Sequence, residues 1–191
     1  MLVGLLGYPL TGSLSPRMQN AAFAECGLDW SYTLVPVREF CETDLPSVNT
    51  LVLRDGRIDG HSTDAAILEG LPAERPAIIG DGGAAAAFRH AMPHATVFSR
   101  RGQWPPDVRD ADLVVNATSE RDDVLVEVGA GQTLIDLPYP ETATARAAVG
   151  AGAGVVTGLD VLIAQGAASF ELWTGAPAPL EVMRAAVGLP G

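Results

Sequence analysis

Short apolar runs separated by turn residues divide the chain into two regions with different rhythms. In the first region, short apolar or alternating runs predict strands at 2–6, 31–35 and 50–53. Helices are predicted at 17–26, where apolar residues share one face, and at 64–70.

After a linker-like segment at 72–76, apolar runs alternate regularly with helical stretches. Such alternation implies a parallel sheet covered by helices on both faces. The predicted strands are 77–80, 96–99, 113–116, 134–137 and 154–157, with an alanine-rich helix at 142–150. Two helical stretches, 158–173 and 180–187, follow without a further strand, so we expect them to pack on the first region.

The composition is that of a folded globular protein and excludes several classes of partner. Hydrophobic residues make up 48% of the 191 residues, enough for a sizeable core. The net charge of −11 argues against nucleic acid and anionic membranes, because phosphate binding relies on clustered basic residues. Gly158, Asp160 and Gln165 interrupt the richest apolar run, so no segment fits a membrane span.

The cysteines indicate the cellular compartment of the protein, and the lack of lysine limits the catalytic groups available to it. Cys26 and Cys41 lack metal-binding spacing, and the N-terminus has no basic stretch typical of a signal peptide. We therefore expect reduced thiols in a cytoplasmic protein. The twelve arginines account for the whole Lys+Arg total of 12, so no lysine is present for chemistry that needs an ammonium group.

The stretch around Gly80 has the pattern of a strand, a tight turn and a helix start. Gly80, Gly82 and Gly83 separate the apolar run from Ala84 and the alanines that follow. Such a turn directs backbone N–H groups and a helix dipole at one point, as in nucleotide pyrophosphate sites. The last glycine of the full dinucleotide fingerprint is absent, so a sharp turn without a ligand is the alternative interpretation.

Two arginines follow the next predicted strand, about twenty residues after the glycine turn. In a dinucleotide-binding fold, an acidic residue here binds the ribose of NAD, whereas arginine suits the 2′-phosphate of NADP. Ser99, Arg100 and Arg101 therefore favour NADP, with an exposed basic turn as the alternative. Asn116 and Thr118 end the following strand, where such residues either line a ligand crevice or cap a helix.

Candidate catalytic and substrate-binding side chains lie mostly in the first region. His61 and Asp64 are three residues apart and together can act as general acid and base, although an aspartate at such a junction is usually a helix cap. Ser13 and Ser15 offer two hydroxyls that can hold a carboxylate or simply cap a helix. Further polar residues that can face a shared cleft are Asp136, Tyr139 and Gln165.

These motifs occur in an order that resembles the shikimate dehydrogenase family. No single stretch is decisive, but their shared register along nearly the whole chain is specific. The matching stretches are 7–9, 13–16, 48–50, 60–64, 80–84, 99–101, 116–119, 136–139, 158–165 and 170–175.

The resemblance implies an α/β protein with two domains. A Rossmann-like NADP-binding domain with a parallel sheet would occupy 72–157. A small, shortened N-terminal α/β substrate domain would occupy 1–71 and be completed by the C-terminal helices at 158–191. The residues implied in NADP binding are Gly80, Gly82, Gly83, Ala84, Ser99, Arg100, Arg101, Asn116 and Thr118.

The resemblance also implies roles for residues around a small carboxylate substrate. The family positions that match Ser13 and Ser15 hold the substrate carboxylate, and the one that matches Tyr139 lies beside the substrate. The aspartate that matches Asp64 works with a lysine to move the hydroxyl proton while hydride passes to the nicotinamide. Ring hydroxyls are bound at the positions that match Asn49, Asp64 and Gln165.

The chain departs from the family pattern where that lysine should lie. In the family it belongs to a strand and helix between the positions of Val35 and Asn49, an interval that this chain crosses with residues 36–48 only. His61 is a candidate replacement for the lost proton carrier. Asp81 stands where the family usually has alanine, and its carboxylate would oppose a pyrophosphate.

Loss of a strand and a helix should also leave a sheet edge or an apolar surface uncovered. A second copy of the chain can cover it, so we expect a homodimer. A light-scattering mass of one subunit would contradict this expectation.

Three functions are compatible with this sequence. The first is a shikimate dehydrogenase-like NADP-dependent oxidoreductase for a shikimate-like cyclic hydroxy carboxylate, with His61 and Asp64 as atypical proton-transfer residues. The second is a non-redox enzyme of a specialised pathway, such as a dehydratase, isomerase or aromatising lyase, which the missing lysine and Asp81 favour. The third is a catalytically idle protein that binds a carboxylate metabolite.

Overall fold

The computed structural model describes residues 2–7, 12–36, 47–54 and 57–190. They divide into two compact units, unit 1 within Met1–Thr63 and Leu162–Gly191, and unit 2 at Asp64–Val161. The sequence places the domain changes at 71/72 and 157/158, whereas the compact units change at 63/64 and 161/162. Cys41 and most of the short 36–48 interval lie outside the described residues.

The described residues contain nine strands and five α-helices. The strands are β1 (Leu2–Gly7), β2 (Ser31–Pro36), β3 (Thr50–Arg54), β4 (Arg57–His61), β5 (Pro76–Ile79), β6 (Thr96–Phe98), β7 (Leu113–Asn116), β8 (Thr133–Asp136) and β9 (Gly154–Val156). The helices are α1 (Ser15–Glu25), α2 (Gly83–Ala91), α3 (Ala143–Gly150), α4 (Gly158–Thr174) and α5 (Leu180–Ala186). α4 begins in unit 2 and ends in unit 1.

The described part of unit 1 contains two small sheets. β1 and β2 run parallel, with Leu2 opposite Ser31, and α1 lies between them in the chain because parallel neighbours cannot be joined by a tight turn. β3 and β4 form an antiparallel hairpin in which Thr50 faces His61. The hairpin thereby places His61 beside Asn49 and Thr50.

Aromatic rings hold α1 against the last part of α4. Phe23 is fully buried, and its ring centroid lies 5.5 Å from Trp30, 5.7 Å from Phe170 and 6.5 Å from Trp173. Such ring pairs stabilise a core beyond the burial of their area. The Nε1–H of Trp173 donates to the carbonyl of Leu51 (3.0 Å), so the same helix is tied to β3.

Unit 2 is a parallel sheet with strand order β6-β5-β7-β8-β9. Every residue of β5 and β7 is buried, which explains why these strands are continuous apolar runs. Successive residues point to opposite faces, so Ile79 and Val114 share one core cluster with α3, while Ile78 and Val115 share another with α2. The parallel sheet predicted from the alternating pattern is confirmed.

Three local predictions differ from the structure. The helix predicted at 64–70 is only a 3₁₀ helix, Ala66–Leu68, because Glu69 already leaves the helical region with a ψ of 118°, and Gly70, with a φ of +80°, completes a turn. His61, predicted in a turn, ends β4, since pairing with β3 satisfies its backbone. α1 begins at Ser15 with Leu14 as its N-cap residue, so Ser15 is not the helix cap.

Two general properties follow from the described ranges. No helix in them is both long and apolar enough to cross a membrane. Their histidine, cysteine, aspartate and glutamate side chains form no group of three that could hold a metal ion. Cys26 is exposed and free.

Candidate functional site

A cleft of about 480 Å³ opens in unit 2 at the carboxyl ends of β5, β6 and β7. Ligands bind at this edge of open parallel sheets. Among the predicted cofactor residues, those that line the cleft are Gly80, Gly82, Ser99, Arg100, Arg101 and Thr118. The other lining residues, which are not among the predicted cofactor-binding residues, are Asp81, Trp104, Ala117, Ser119, Glu120 and Leu125.

Gly80 shapes the cleft because no side chain fits at its position. Its φ of +130° is unfavourable for other residues, and a Cβ atom would lie 2.8 Å from the carbonyl oxygen of Ala117. Backbone bonds fix the turn between strands: the N–H of Gly80 donates to Phe98 (2.8 Å), and the N–H of Ala117 donates to Ile79 (2.8 Å). The turn itself therefore requires glycine.

The helix after this turn begins without a side-chain cap. Gly82 is its N-cap residue, and a Cβ atom on Gly82 or Gly83 would meet no atom within 4 Å. The first N–H groups of a helix have no acceptor within it, and the helix dipole favours an anion there. Gly83 and Ala84 do not line the cleft, but they lie in this first turn and offer backbone donors.

The predicted arginine pair stands on a closed turn after β6. The N–H of Ser99 donates to the carbonyl of Gln103 (3.2 Å), and the N–H of Gly102 donates to that of Ser99 (3.0 Å). These bonds close the turn around Arg100 and Arg101, which are both exposed. The cleft is thus lined by two guanidinium groups, which can bind phosphate in a bidentate manner.

Each arginine has a neighbour in the cleft. The Arg100 guanidinium lies over the ring of Trp104, 5.6 Å from its centroid, within cation–π range. Nη1 of Arg101 lies 3.7 Å from Oδ2 of Asp81, and the two side chains are 88% and 45% exposed. An ion pair so exposed contributes little to stability, so another anion can replace Asp81 at Arg101.

Glu120 places a second carboxylate in the cleft. Its Oε1 accepts from the N–H groups of Asp122 (3.2 Å), Asp123 (3.4 Å) and Arg121 (3.0 Å). These backbone bonds lower the pKa of Glu120, and the charge of Arg100 acts in the same direction. The cleft therefore holds a fixed carboxylate in addition to the one on the glycine turn.

A chain of buried hydrogen bonds supports the cleft from beneath. Nδ2 of Asn116 donates to Oδ1 of Asp136 (2.7 Å), while Oδ1 of Asn116 accepts from the N–H and the hydroxyl of Thr118 (3.1 and 2.8 Å). The hydroxyl of Thr142 donates to Oδ2 of Asp136 (2.7 Å). Asn116 is fully buried, so it holds Thr118 in place without lining the cleft itself.

The buried carboxylate of Asp136 makes this support sensitive to pH. Burial raises the pKa of Asp136, and the hydrogen bonds from Thr142 and Asn116 oppose that shift. The folded state therefore holds the proton more tightly than the unfolded chain, and stability declines as pH rises from the unfolded pKa through the folded one. Thr142 is also the N-cap of α3, where it accepts the N–H of Ala145 (3.0 Å).

Replacing Thr142 with valine keeps the shape of the side chain and removes both bonds. We expect the unfolding free energy to fall by about 2–3 kcal/mol at about pH 8, from the lost cap and the lost bond to a buried carboxylate. The pKa of Asp136 then rises further, so the deficit should shrink at about pH 4, where the carboxyl is closer to neutral. Urea unfolding at both pH values measures this, with Thr142→Ser as control. Equal deficits at the two pH values would contradict the charge argument.

In unit 1 the structure brings Asn49 and Gln165 together. Nδ2 of Asn49 lies 3.4 Å from Oε1 of Gln165, and it also donates to the hydroxyl of Thr63 (2.9 Å). The hydroxyls of Thr50 and Ser169, 2.7 Å apart, extend this cluster into the core. Asn49 and Gln165 are half-buried, so β3, β4 and α4 present an ordered set of hydrogen-bonding groups.

Ser13 and Ser15 lie together at the start of α1. The N–H of Ser15 donates to Oγ of Ser13 (3.3 Å), which closes a tight turn. Ser15 is buried and hydrogen-bonded to the side chain of Tyr32. Burial raises the pKa of Tyr32 to about 12, and the bond with Ser15 acts against that rise. Ser13 is the more accessible of the two serines.

The remaining predicted site residues belong to separate elements. His61 ends β4 in unit 1, and its carbonyl accepts the N–H of Asn49 (3.1 Å). Asp64 is the first residue of unit 2, in the turn before the 3₁₀ helix. Tyr139 follows β8, where its carbonyl accepts from Nη1 of Arg121 (2.9 Å). The side chains of His61, Asp64 and Tyr139 are all half-buried, so none is sealed in a core.

Sequence comparisons place this arrangement among known proteins. A family model described as the Shikimate 5'-dehydrogenase C-terminal domain matches residues 158–187. The chain is 32% identical to the shikimate dehydrogenase (NADP(+)) of Anaeromyxobacter sp. (strain Fw109-5), with 100% of this chain and 96% of that protein covered. It is also 32% identical to the shikimate dehydrogenase (NADP(+)) of Methanopyrus kandleri, with 97% and 94% covered.

Solved structures share the fold over almost the whole chain. The shikimate 5-dehydrogenase of Thermus thermophilus, solved with NADP(H) and shikimate, is 26% identical with a TM-score of 0.75, and 97% of this chain and 98% of that chain are covered. The shikimate dehydrogenase of Aquifex aeolicus is 23% identical with a TM-score of 0.84, and 98% and 97% are covered. Given the 32% identity to the Anaeromyxobacter enzyme over all of this chain and 96% of that protein, this chain belongs to the shikimate dehydrogenase family.

Proposed function

We propose that this chain is an NADP-dependent oxidoreductase that acts on a shikimate-like cyclic hydroxy carboxylate. The observation that carries the proposal is the cleft of unit 2, where the glycine turn, the uncapped start of α2 and two arginines meet. The Anaeromyxobacter relative is an NADP(+) enzyme, and the Thermus structure was solved with NADP(H) and shikimate. Both findings support the same cofactor and substrate class.

The residues of the cleft fit NADP. The open space beside Gly82 and Gly83 allows a pyrophosphate to approach the backbone at the start of α2. Arg100 and Arg101 after β6 offer cations to the 2′-phosphate, and Thr118 after β7 lines the same edge of the sheet with its hydroxyl. When bound, the nicotinamide supplies the hydride acceptor for oxidation of a hydroxyl group.

We assign substrate binding to the polar groups of unit 1. Ser13 and Ser15 are assigned to the substrate carboxylate, because they stand together at the start of α1. Asn49 and Gln165 are assigned to ring hydroxyls. Nε2 of Gln165 donates to the carbonyl of Leu162 (3.0 Å), and this bond fixes the orientation of its amide. Tyr139, which is half-buried after β8 in unit 2, is assigned to substrate binding on the family resemblance alone.

We assign proton transfer to Asp64 and His61, because the chain contains no lysine. A carboxylate at Asp64 accepts the proton of the substrate hydroxyl, and an imidazole at His61 is a group that can carry a proton onward. The alignment with the Anaeromyxobacter relative spans 269 positions, against 191 residues in this chain. That excess supports the loss of internal segments, among them the one that carries the lysine in the family.

The proposal is tested first by titrating the protein with NADPH and following the fluorescence of the cofactor. Turnover with shikimate and quinate is then followed by absorbance. We expect Asp64→Asn to lower kcat about a hundredfold or more while NADPH affinity stays the same. Asp59→Asn, which changes an exposed carboxylate on β4, is the matched control. Absence of NADPH binding at millimolar concentration would contradict the cofactor, and unchanged turnover would remove Asp64 from the mechanism.

A non-redox reaction on the same scaffold is the second candidate function. Two observations favour it: the chain has no lysine, and two carboxylates, Asp81 and Glu120, line the cleft. A dehydratase or isomerase would convert a cyclic hydroxy carboxylate without NADP. Incubation of the protein with such acids in the absence of cofactor, followed by mass analysis of the products, separates this candidate from the first. A catalytically idle binding protein would give no product in either assay.

Two further properties remain proposals. We propose a homodimer, because the shortened substrate domain should leave a surface that a second copy can cover. We also propose a cytoplasmic location, which the expected reduced cysteines favour.

A further inference from the structure

We propose that Asp81 is a specificity-determining residue that competes with the 2′-phosphate of NADP for Arg101 and so weakens the preference for NADP over NAD. Asp81 sits in the glycine turn, lines the cleft, and has Oδ2 at 3.7 Å from Nη1 of Arg101. The inference deepens the proposed function, because it rests on NADP binding in this cleft.

The two carboxylates of the cleft differ in how firmly they are held. Glu120 accepts three backbone N–H groups, so its carboxylate is fixed by its own loop. The side chain of Asp81 is 45% exposed, and its charged partner in the structure is Arg101. An anion that binds Arg101 therefore displaces Asp81 from its ion pair, whereas Glu120 keeps its backbone hydrogen bonds.

The two arginines differ in the same way. Arg100 lies over the ring of Trp104, and because the stacking uses the face of the guanidinium, its N–H groups can still donate to a phosphate. Arg101 is 88% exposed, and its long, solvent-exposed ion pair is weak. An incoming 2′-phosphate must either separate Arg101 from Asp81 or lie close to the negative charge of Asp81, and both reduce its binding.

NAD has a hydroxyl group where NADP has the 2′-phosphate, so it does not meet this competition. A carboxylate can instead accept a hydrogen bond from a ribose hydroxyl. The charge of Asp81 should therefore weaken NADP binding more than NAD binding. The alanine usual in the family at this position would impose no such penalty.

The test compares the affinities of Asp81→Asn and the wild type for NADPH and NADH, measured by cofactor fluorescence. We expect NADPH to bind about three- to tenfold tighter to Asp81→Asn, and NADH affinity to change less than about twofold. The gain should shrink as salt is added, because exposed charges are screened. Glu127→Gln, which removes an exposed carboxylate of the same unit outside the cleft, is the matched control and should show no gain.

Repeating the Asp81→Asn substitution in an Arg101→Gln variant tests whether the change in cofactor preference depends on Arg101. In Arg101→Gln, the change Asp81→Asn should no longer alter the ratio of NADPH to NADH affinity, because the group competed for is gone. Equal tightening of both cofactors in Asp81→Asn would overturn the proposal, since it would place the repulsion at the pyrophosphate. Unchanged affinities would overturn it as well.

The same titrations separate this proposal from the proposed function. NADPH binding by Asp81→Asn but not by the wild type would support the inference in its strongest form. Failure of every variant to bind either cofactor would overturn the NADP-dependent function and the role of Asp81 with it. Thermal unfolding of each variant shows that lost binding does not come from a lost fold.

Discussion

Replacing Gly158 with alanine should strongly destabilise unit 2. A Cβ atom at Gly158 would collide with the carbonyl oxygen of Leu137 and lie 2.6 Å from that of Pro138. These are backbone atoms where the chain leaves β8, and the N–H of Leu137 is bonded to the carbonyl of Asn116 (3.0 Å). The neighbours cannot give way without disturbing the sheet, so we expect a loss of about 3 kcal/mol or more.

Urea unfolding followed by circular dichroism measures this loss. Gly150→Ala is the matched control, because Gly150 ends α3 and a Cβ atom there meets no atom within 4 Å. Alanine is the better helix former, so Gly150→Ala should be neutral or slightly stabilising. Equal unfolding midpoints for Gly158→Ala and Gly150→Ala would show that the start of α4 can move away from β8.

The sheet of unit 2 could be predicted because its central strands are buried on both faces. β5 and β7 are apolar at nearly every position, and the glycines after β5 mark the turn that opens the cleft. Gly80 and Arg101 are about twenty residues apart in the chain, but they follow neighbouring parallel strands. Both therefore line the cleft at the same edge of the sheet. The family predicted from these motifs is confirmed by the relatives.

The elements that were missed depend on tertiary contacts that leave little trace in local sequence. β4 contains Arg57, Asp59 and Gly60, which are weak strand formers, and it is a strand because it pairs with β3. Ser15 looks like a helix cap, yet it is the first residue of α1, and its side chain hydrogen-bonds to that of Tyr32. Local propensity gave way to strand pairing in the first case and to burial of the side chain in the second.

Trp104 and Glu120 line the cleft because of the turns on which they lie, and the sequence alone does not predict them there. Trp104 lies three residues after Arg101, and it reaches the cleft because the turn closes on itself at Ser99. Glu120 follows the Asn-Ala-Thr-Ser stretch and could have been included by extending that motif one residue. The position of Asn116 at a strand end predicts cofactor binding, but the sequence does not show that its side chain is buried beneath the cleft.

Replacing Gly80 with alanine should lower NADPH affinity about a hundredfold or more. The new Cβ atom would lie 2.8 Å from the carbonyl oxygen of Ala117, and a φ of +130° would be strained for alanine. Relief of both requires the turn to move away from β7, which displaces the start of α2 from the arginines. We also expect the unfolding free energy to fall by about 2–4 kcal/mol, measured by urea unfolding.

Gly82→Ala separates the shape of the turn from the room that a ligand needs. Gly82 has a φ of −83°, which alanine adopts without strain, and its added Cβ atom would meet no protein atom within 4 Å. Stability should therefore stay close to that of the wild type. If NADPH titration shows weaker binding to Gly82→Ala despite an intact fold, the added methyl group occupies space that the cofactor uses. Wild-type affinity in Gly80→Ala would instead show that the turn does not position the phosphate-binding groups, and would place the cofactor elsewhere.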